Sequence, residues 1–135
     1  MPKSDQILDI TPAVLSTLAE LEAREKYVEL PGTIYNGLRP EAARQAAQQQ
    51  INDLIARLRT ALPANPSKKF VLTEFSKTMA QFTPADTEDR EQLLRYLEEI
   101  MDIVSVASSD GLLNNWMYGS VLGALLEQMK QGKAP

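Results

Sequence analysis

The 135-residue chain has neither cysteine nor histidine. Their absence removes thiol nucleophiles, disulfides, zinc fingers, imidazole bases and nearly every transition-metal site together. Aromatic residues are 6% of the total, with a single Trp. No apolar run approaches the ~20 residues that a membrane-spanning helix needs. Met1 to Pro12 are polar, with acids at Asp5 and Asp9, so they show no secretory core of roughly 7 to 15 apolar residues. A cytoplasmic address and no membrane partner are expected. What is left for chemistry is carboxylate, hydroxyl, amide and amine. With 44% hydrophobic residues, one soluble domain spanning residues 1–135 is expected, flexible at 1–10 and 131–135.

Basic charge is also short: Lys and Arg total 14 against 18 Asp and Glu, a net charge of −4. A chain without a basic stripe is a poor match for a phosphate backbone, which argues against nucleic acid. The deficit is local. Between Asp86 and Asp102 stand seven acids and two bases.

Hydrophobic spacing predicts five helices and no strand. Thr11 and Pro12 form a start signal, since the hydroxyl accepts an orphan N–H and proline has none to lose. The first helix is expected to run to about Leu30, with Glu20–Arg24 and Glu22–Lys26 as pairs four apart, and to stop at Pro31 and Gly32. The segment 31–39, with its Asn36-Gly37 turn signal, reads as an irregular connection. A second helix from Pro40 carries Ala47, Ile51, Leu54, Ile55, Leu58 and Leu62 on one face; Arg44, Gln45, Gln48, Gln49, Asn52 and Arg59 are expected on the wet side. Ser67 caps a third helix with Val71, Phe75, Met79 and Phe82 in line. Thr83 and Pro84 repeat the start signal for a fourth, whose inner stripe includes Leu93, Leu97, Ile100 and Val104. After the turn Ser108–Gly111, a fifth helix from Leu112 is apolar nearly all round, which places it at the centre. The expected class is all-α, an irregular five-helix bundle in one domain.

The constellations that could carry chemistry fail on geometry. The di-iron bundle pattern needs Glu-x-x-His, and a calcium loop started at Asp86 would have Glu91 where glycine is required and Leu97 where the bidentate Glu belongs. No metal site and no cofactor are expected. Ser108 and Ser109 lack a base and read as caps. Gly119 and Gly123 read as a flat strip for a neighbouring helix. Two surfaces remain. One is the acidic outer face of the fourth helix, with Glu88, Glu91, Glu98, Glu99 and Asp102; its plainer explanation is a solvated helix with acids near its positive end. The other is polar and aromatic, formed by Asp110, Asn114, Asn115, Trp116 and Tyr118 with Tyr35 on the irregular segment, against which stands the usual role of Trp as a core anchor.

The stretch from Asp86 to Gly119, DTEDREQLLRYLEEIMDIVSVASSDGLLNNWMYG, resembles the C-terminal signature of a bacterial all-helical family, the domain of unknown function DUF4844. Its Asp-Thr-Glu-Asp-Arg-Glu opening, acidic-apolar helix and Leu-Asn-Asn-Trp-x-Tyr-Gly close carry the likeness, and the Tyr35-Asn36-Gly37-Leu38 turn matches more loosely. The resemblance implies an all-helical fold and a bacterial cytoplasm, and no activity. The reading that follows is a non-enzymatic helical module that binds a protein partner of basic surface. A homo-oligomeric scaffold and a small-ligand-binding protein or slow carboxylate enzyme are the alternatives.

Overall fold

The computed structural model describes residues 5–84 and 86–117. Four helices succeed one another: α1 (Pro12–Ala23), α2 (Glu41–Ala61), α3 (Lys68–Gln81) and α4 (Thr87–Val104). A fifth, α5, begins at 112 and is described to 117. Among the described residues there is no strand, only an isolated bridge between Ile7 and Ser67. The fold is all-α, as the spacing predicts. The central placement of the last helix, Tyr118 and the Gly119–Gly123 strip lie outside the described residues.

The helices start where short polar side chains answer orphan amides. The Thr11 hydroxyl accepts from the Val14 N–H, and Ser67 Oγ accepts from the Phe70 N–H. Inside, α2 buries Ala47, Ile51, Leu54, Ile55 and Leu58, and these meet Leu18, Leu21, Val71, Phe75, Leu93, Leu97 and Ile100 in one core. Burial of the three-and-four-spaced face of each helix supplies the main driving force. Ahead of α1, Asp5–Ile10 lie along the start of α3: Asp5 accepts from Ser67 Oγ and from the Lys69 N–H, and Leu8, itself buried, donates its N–H to the Pro66 carbonyl.

Two boundaries differ from the sequence expectation. Helix α1 ends at Ala23, not near Leu30, because Arg24 turns to extended backbone and Tyr27 takes a left-handed φ of 59°. Neither expected pair within the helix forms. Glu22 instead pairs with Arg59 of α2, Arg24 with Glu99 of α4, and Lys26 turns back onto backbone carbonyls. At α4 the cap is Asp86, whose carboxylate accepts from the Glu88 N–H; Thr83 and Pro84 precede it as connection. The carboxylate is the stronger acceptor and stands three residues later.

The consequence for function is a sixteen-residue irregular stretch, 24–39, anchored to α2 and α4 through Lys26 and Tyr27. It lacks the repeating hydrogen bonds of a helix, so its backbone groups need other partners.

Candidate functional site

Those partners come from side chains on both flanking helices. Lys26 is completely buried. Its ammonium donates to the carbonyls of Glu22 (3.1 Å) and Arg24 (2.8 Å) and to Asn52 Oδ1 (2.7 Å), which also places a cation at the negative end of α1. Burial, with the charge of Arg24 added, pulls its pKa down to about 8 against the opposing pull of Glu22 and Glu99. The Lys26 N–H donates to Gln48 Oε1 (2.7 Å), and its carbonyl accepts from Arg44 Nη1 (3.0 Å). Arg44, Gln48 and Asn52, expected on the wet face, are thus a half-buried row four residues apart that holds the segment.

A second polar row faces the segment from α4. The Tyr27 N–H donates to Tyr96 Oη (2.7 Å), and Tyr35 Oη donates to Asp89 Oδ1 (2.7 Å). Asp89, Gln92 and Tyr96 occupy one helix face and are all buried. Asp89 is 9% exposed, and Tyr35 engages one carboxylate oxygen while the second has no hydrogen bond among the described residues. Burial raises its pKa and the nearby charge of Asp86 adds to this, while the Tyr35 hydroxyl pulls the other way. The phenols of Tyr27 and Tyr35 are raised too, chiefly by burial. Gly37 closes the turn: at φ +88° a side chain there would be strained, and its Cβ would stand 3.0 Å from the Glu29 nitrogen. Two of the open clefts that border this arrangement reach α4. One of about 600 Å3 lies between 36–39 and the start of α4, with Asp86, Glu88 and Asp89 on its wall. The other, about 540 Å3, lies between 24–30 and the middle of α4, with Gln92 and Tyr96 on its wall.

The residues singled out from sequence are dispersed. Tyr35 is buried against Asp89, while its neighbour Ile34 is 83% exposed. Asp110 pairs with Lys68 at 3.1 Å. Trp116 is half-buried, edge-on to Phe82 at 6.2 Å and under the Arg90 guanidinium at 4.0 Å. Asn114 and Asn115 are exposed. Trp116 connects through Phe82 to Tyr27 and on to Tyr96 in a chain of ring contacts, so it belongs to the packing that supports the segment. Ser108 Oγ accepts from the Asp110 N–H and Ser109 Oγ from the Leu113 N–H; both hydroxyls act as caps.

On α4 the acidic residues divide. Glu99 is closed by Arg24 at 2.6 Å. Glu88, Glu91, Glu98 and Asp102 are exposed, and their carboxylates have no hydrogen-bond or ion-pair partner among the described residues. No group of three or more acidic residues there converges as a metal site.

Sequence reasoning missed Lys26, Tyr27, Asp89, Gln92 and Tyr96. The visible signal was spacing: 44, 48 and 52 repeat at four, and 89, 92 and 96 repeat at three and four on the face of α4 that turns toward the segment.

The family described as a domain of unknown function, DUF4844, matches residues 9–121 of the chain. A crystal structure of a DUF3571 family protein from Acinetobacter baumannii is similar at 30% identity, with a TM-score of 0.77, covering 84% of this chain and 95% of that one. No curated protein matches. Among the described residues no helix is long and apolar enough to cross a membrane.

Proposed function

The chain belongs to the DUF4844 family, and we propose that it is a non-enzymatic helical module of the bacterial cytoplasm that docks a protein partner of basic surface on the acidic face of α4. One observation carries the reading. Glu88, Glu91, Glu98 and Asp102 stand exposed and unpaired along one helix face, while Glu22, Glu41, Glu74 and Glu99 are each closed by an Arg or Lys of this chain. Fourteen residues of helix set the outermost two about 21 Å apart, a length that suits an extended basic surface. Four carboxylates without an ion pair, against the single charge of Arg95 on the same face, leave it net negative and steer cations toward it. The non-enzymatic part of the reading draws on the lack of His and Cys and on the capping roles of Ser108 and Ser109.

The test is affinity capture of partners at about 50 and 500 mM salt, across which exposed charge pairs become screened. It compares the native chain with one carrying Glu88→Gln, Glu91→Gln, Glu98→Gln and Asp102→Asn. A basic protein retained at low salt, released at high salt and lost with the quadruple variant is the expected result. A partner retained equally by both chains sinks the proposal, and so does the lack of any salt-sensitive partner.

A further inference from the structure

The Asn36-Gly37 turn is a part of the irregular segment that its anchoring does not use. Asn36 is exposed, and neither its side-chain amide nor the Gly37 N–H has a hydrogen-bond partner among the described residues. A free main-chain N–H beside a free asparagine carboxamide is a reactive pair, because the nitrogen can close a succinimide ring on the side-chain carbonyl. Asparagine is thermolabile for this reason, and glycine has no Cβ to hinder the approach.

The other asparagines lack one half of the pair. Asn65 precedes Pro66, which has no N–H. Asn52 holds the Lys26 ammonium at 2.7 Å from within α2. Asn114 and Asn115 are exposed, but the amides that follow them lie in α5, where the Asn115 N–H donates to the Gly111 carbonyl at 2.8 Å. Asp110-Gly111 repeats the turn with a carboxylate, a poorer electrophile than an amide, and Lys68 pairs with it.

We propose that Asn36 is a site of spontaneous deamidation, and that its isoaspartyl product loosens the segment 28–38 while Lys26 and Tyr27 stay anchored. The Gly37 nitrogen attacks Asn36 Cγ; the new C–N bond forms, the Cγ–Nδ2 bond breaks, and ammonia leaves with the proton from Gly37. Water then opens the ring at either carbonyl, giving aspartate or isoaspartate without oxidation or reduction. In isoaspartate the main chain runs through the former side chain and is one methylene longer, about 1.5 Å.

The turn has no slack for that length. Tyr35, one residue before, is buried; its carbonyl accepts from the Leu30 N–H at 3.2 Å and its hydroxyl donates to Asp89 at 2.7 Å. Leu38, two residues after, is buried and donates its N–H to the Tyr27 carbonyl at 2.9 Å. Gly37 between them already backs closely onto the 27–29 main chain. Lys26 and Tyr27 are held independently, by Gln48 and Tyr96. The inference does not rest on the docking reading above, since the reaction needs no partner.

The test holds the full chain in warm, mildly alkaline buffer, locates the modification by peptide mapping, and identifies isoaspartate by labelling with an isoaspartyl methyltransferase. The isoaspartyl form, separated by ion exchange, is then compared with fresh protein by hydrogen exchange. Modification at Asn36 ahead of Asn114 and Asn115 is expected, with loss of amide protection at Leu30 and Leu38 and none at Lys26 and Tyr27. Asn36→Gln, whose larger ring closes far more slowly, should keep its mass and its protection through the same incubation. Freshly prepared Asn36→Asp carries the charge without the methylene and should also keep its protection. The proposal is overturned by an intact Asn36, by earlier modification of Asn114 or Asn115, by unchanged protection at Leu30 and Leu38 in the isoaspartyl chain, or by the same loss in fresh Asn36→Asp.

Discussion

The inner face of α2 and the Lys26–Tyr27 turn of the segment 24–39 are equally hidden from water and are held by opposite means. Ile51, Leu54, Ile55 and Leu58 are fully buried aliphatic side chains in regular helix. Lys26 and Tyr27 are as deeply buried, yet the segment around them is fixed by individually directed hydrogen bonds, donated to Asn52, Gln48 and Tyr96 and accepted from Arg44. Apolar burial is non-directional and tolerates repacking. Polar anchoring is directional and fails one bond at a time, each net contribution being about 0.5–1.5 kcal/mol. The first builds the bundle, and the second gives an irregular chain a defined shape beside two clefts.

The comparison breaks most visibly in the core. Leu54 is fully enclosed, so Leu54→Ala should cost about 2–5 kcal/mol. The check is urea denaturation followed by circular dichroism, with a lower midpoint and an unchanged m-value. A cost under about 1 kcal/mol would mean that α2 is less tightly packed than its burial indicates, and the contrast with the segment would lose its basis.

How much could be read from sequence follows the same division. Periodicity announced α2 and α3 and the apolar stripe of α4, because a buried face repeats every three or four residues whatever it packs against. Thr11 and Ser67 were legible as caps for a similarly local reason. The end of α1 was not. Glu20–Arg24 and Glu22–Lys26 have helical spacing, and only the distant partners Arg59, Glu99 and Asn52 divert those side chains. Tyr35 was legible as a residue of interest but not as buried, since its partner Asp89 is 54 positions away. Gln92 was marked only by its helical spacing with positions 89 and 96.

A pH titration sharpens the comparison. Lys26 surrenders its proton near pH 8 in the folded chain against the usual 10.5. Between those values the unfolded chain holds the extra proton, so raising the pH favours the folded state, by at most about 1.4 kcal/mol per pH unit for one proton. Tyr27 and Tyr35 act in the other direction, but only as unfolded phenols begin to ionise near 10. From about pH 8 to 9.5 the native chain should therefore gain stability relative to Lys26→Met, read as the difference between their urea midpoints. Parallel curves for the two chains would show that Lys26 keeps an ordinary pKa and that its three acceptors fully offset its burial.

The smallest effect expected is at Asp89, where two terms compete. The carboxylate sits in the first turn of α4, where the helix dipole favours an anion by about 0.3–1 kcal/mol. Enclosing a carboxylate without a cation costs more, up to several kcal/mol, and the raised pKa has that sign. A folded pKa above the unfolded one means that the group favours folding as the pH falls toward 4 and costs stability at neutrality. Asp89→Asn keeps an acceptor for Tyr35 Oη and removes the charge. Its melting temperature at pH 7 should match or exceed that of the native chain, equivalent to a gain of up to about 1 kcal/mol, and the advantage should shrink as the pH is lowered to about 4. A clear loss at pH 7 would reverse the ranking of the two terms, placing Asp89 with the capping residues of α4 rather than among polar groups held at a cost beside a cleft.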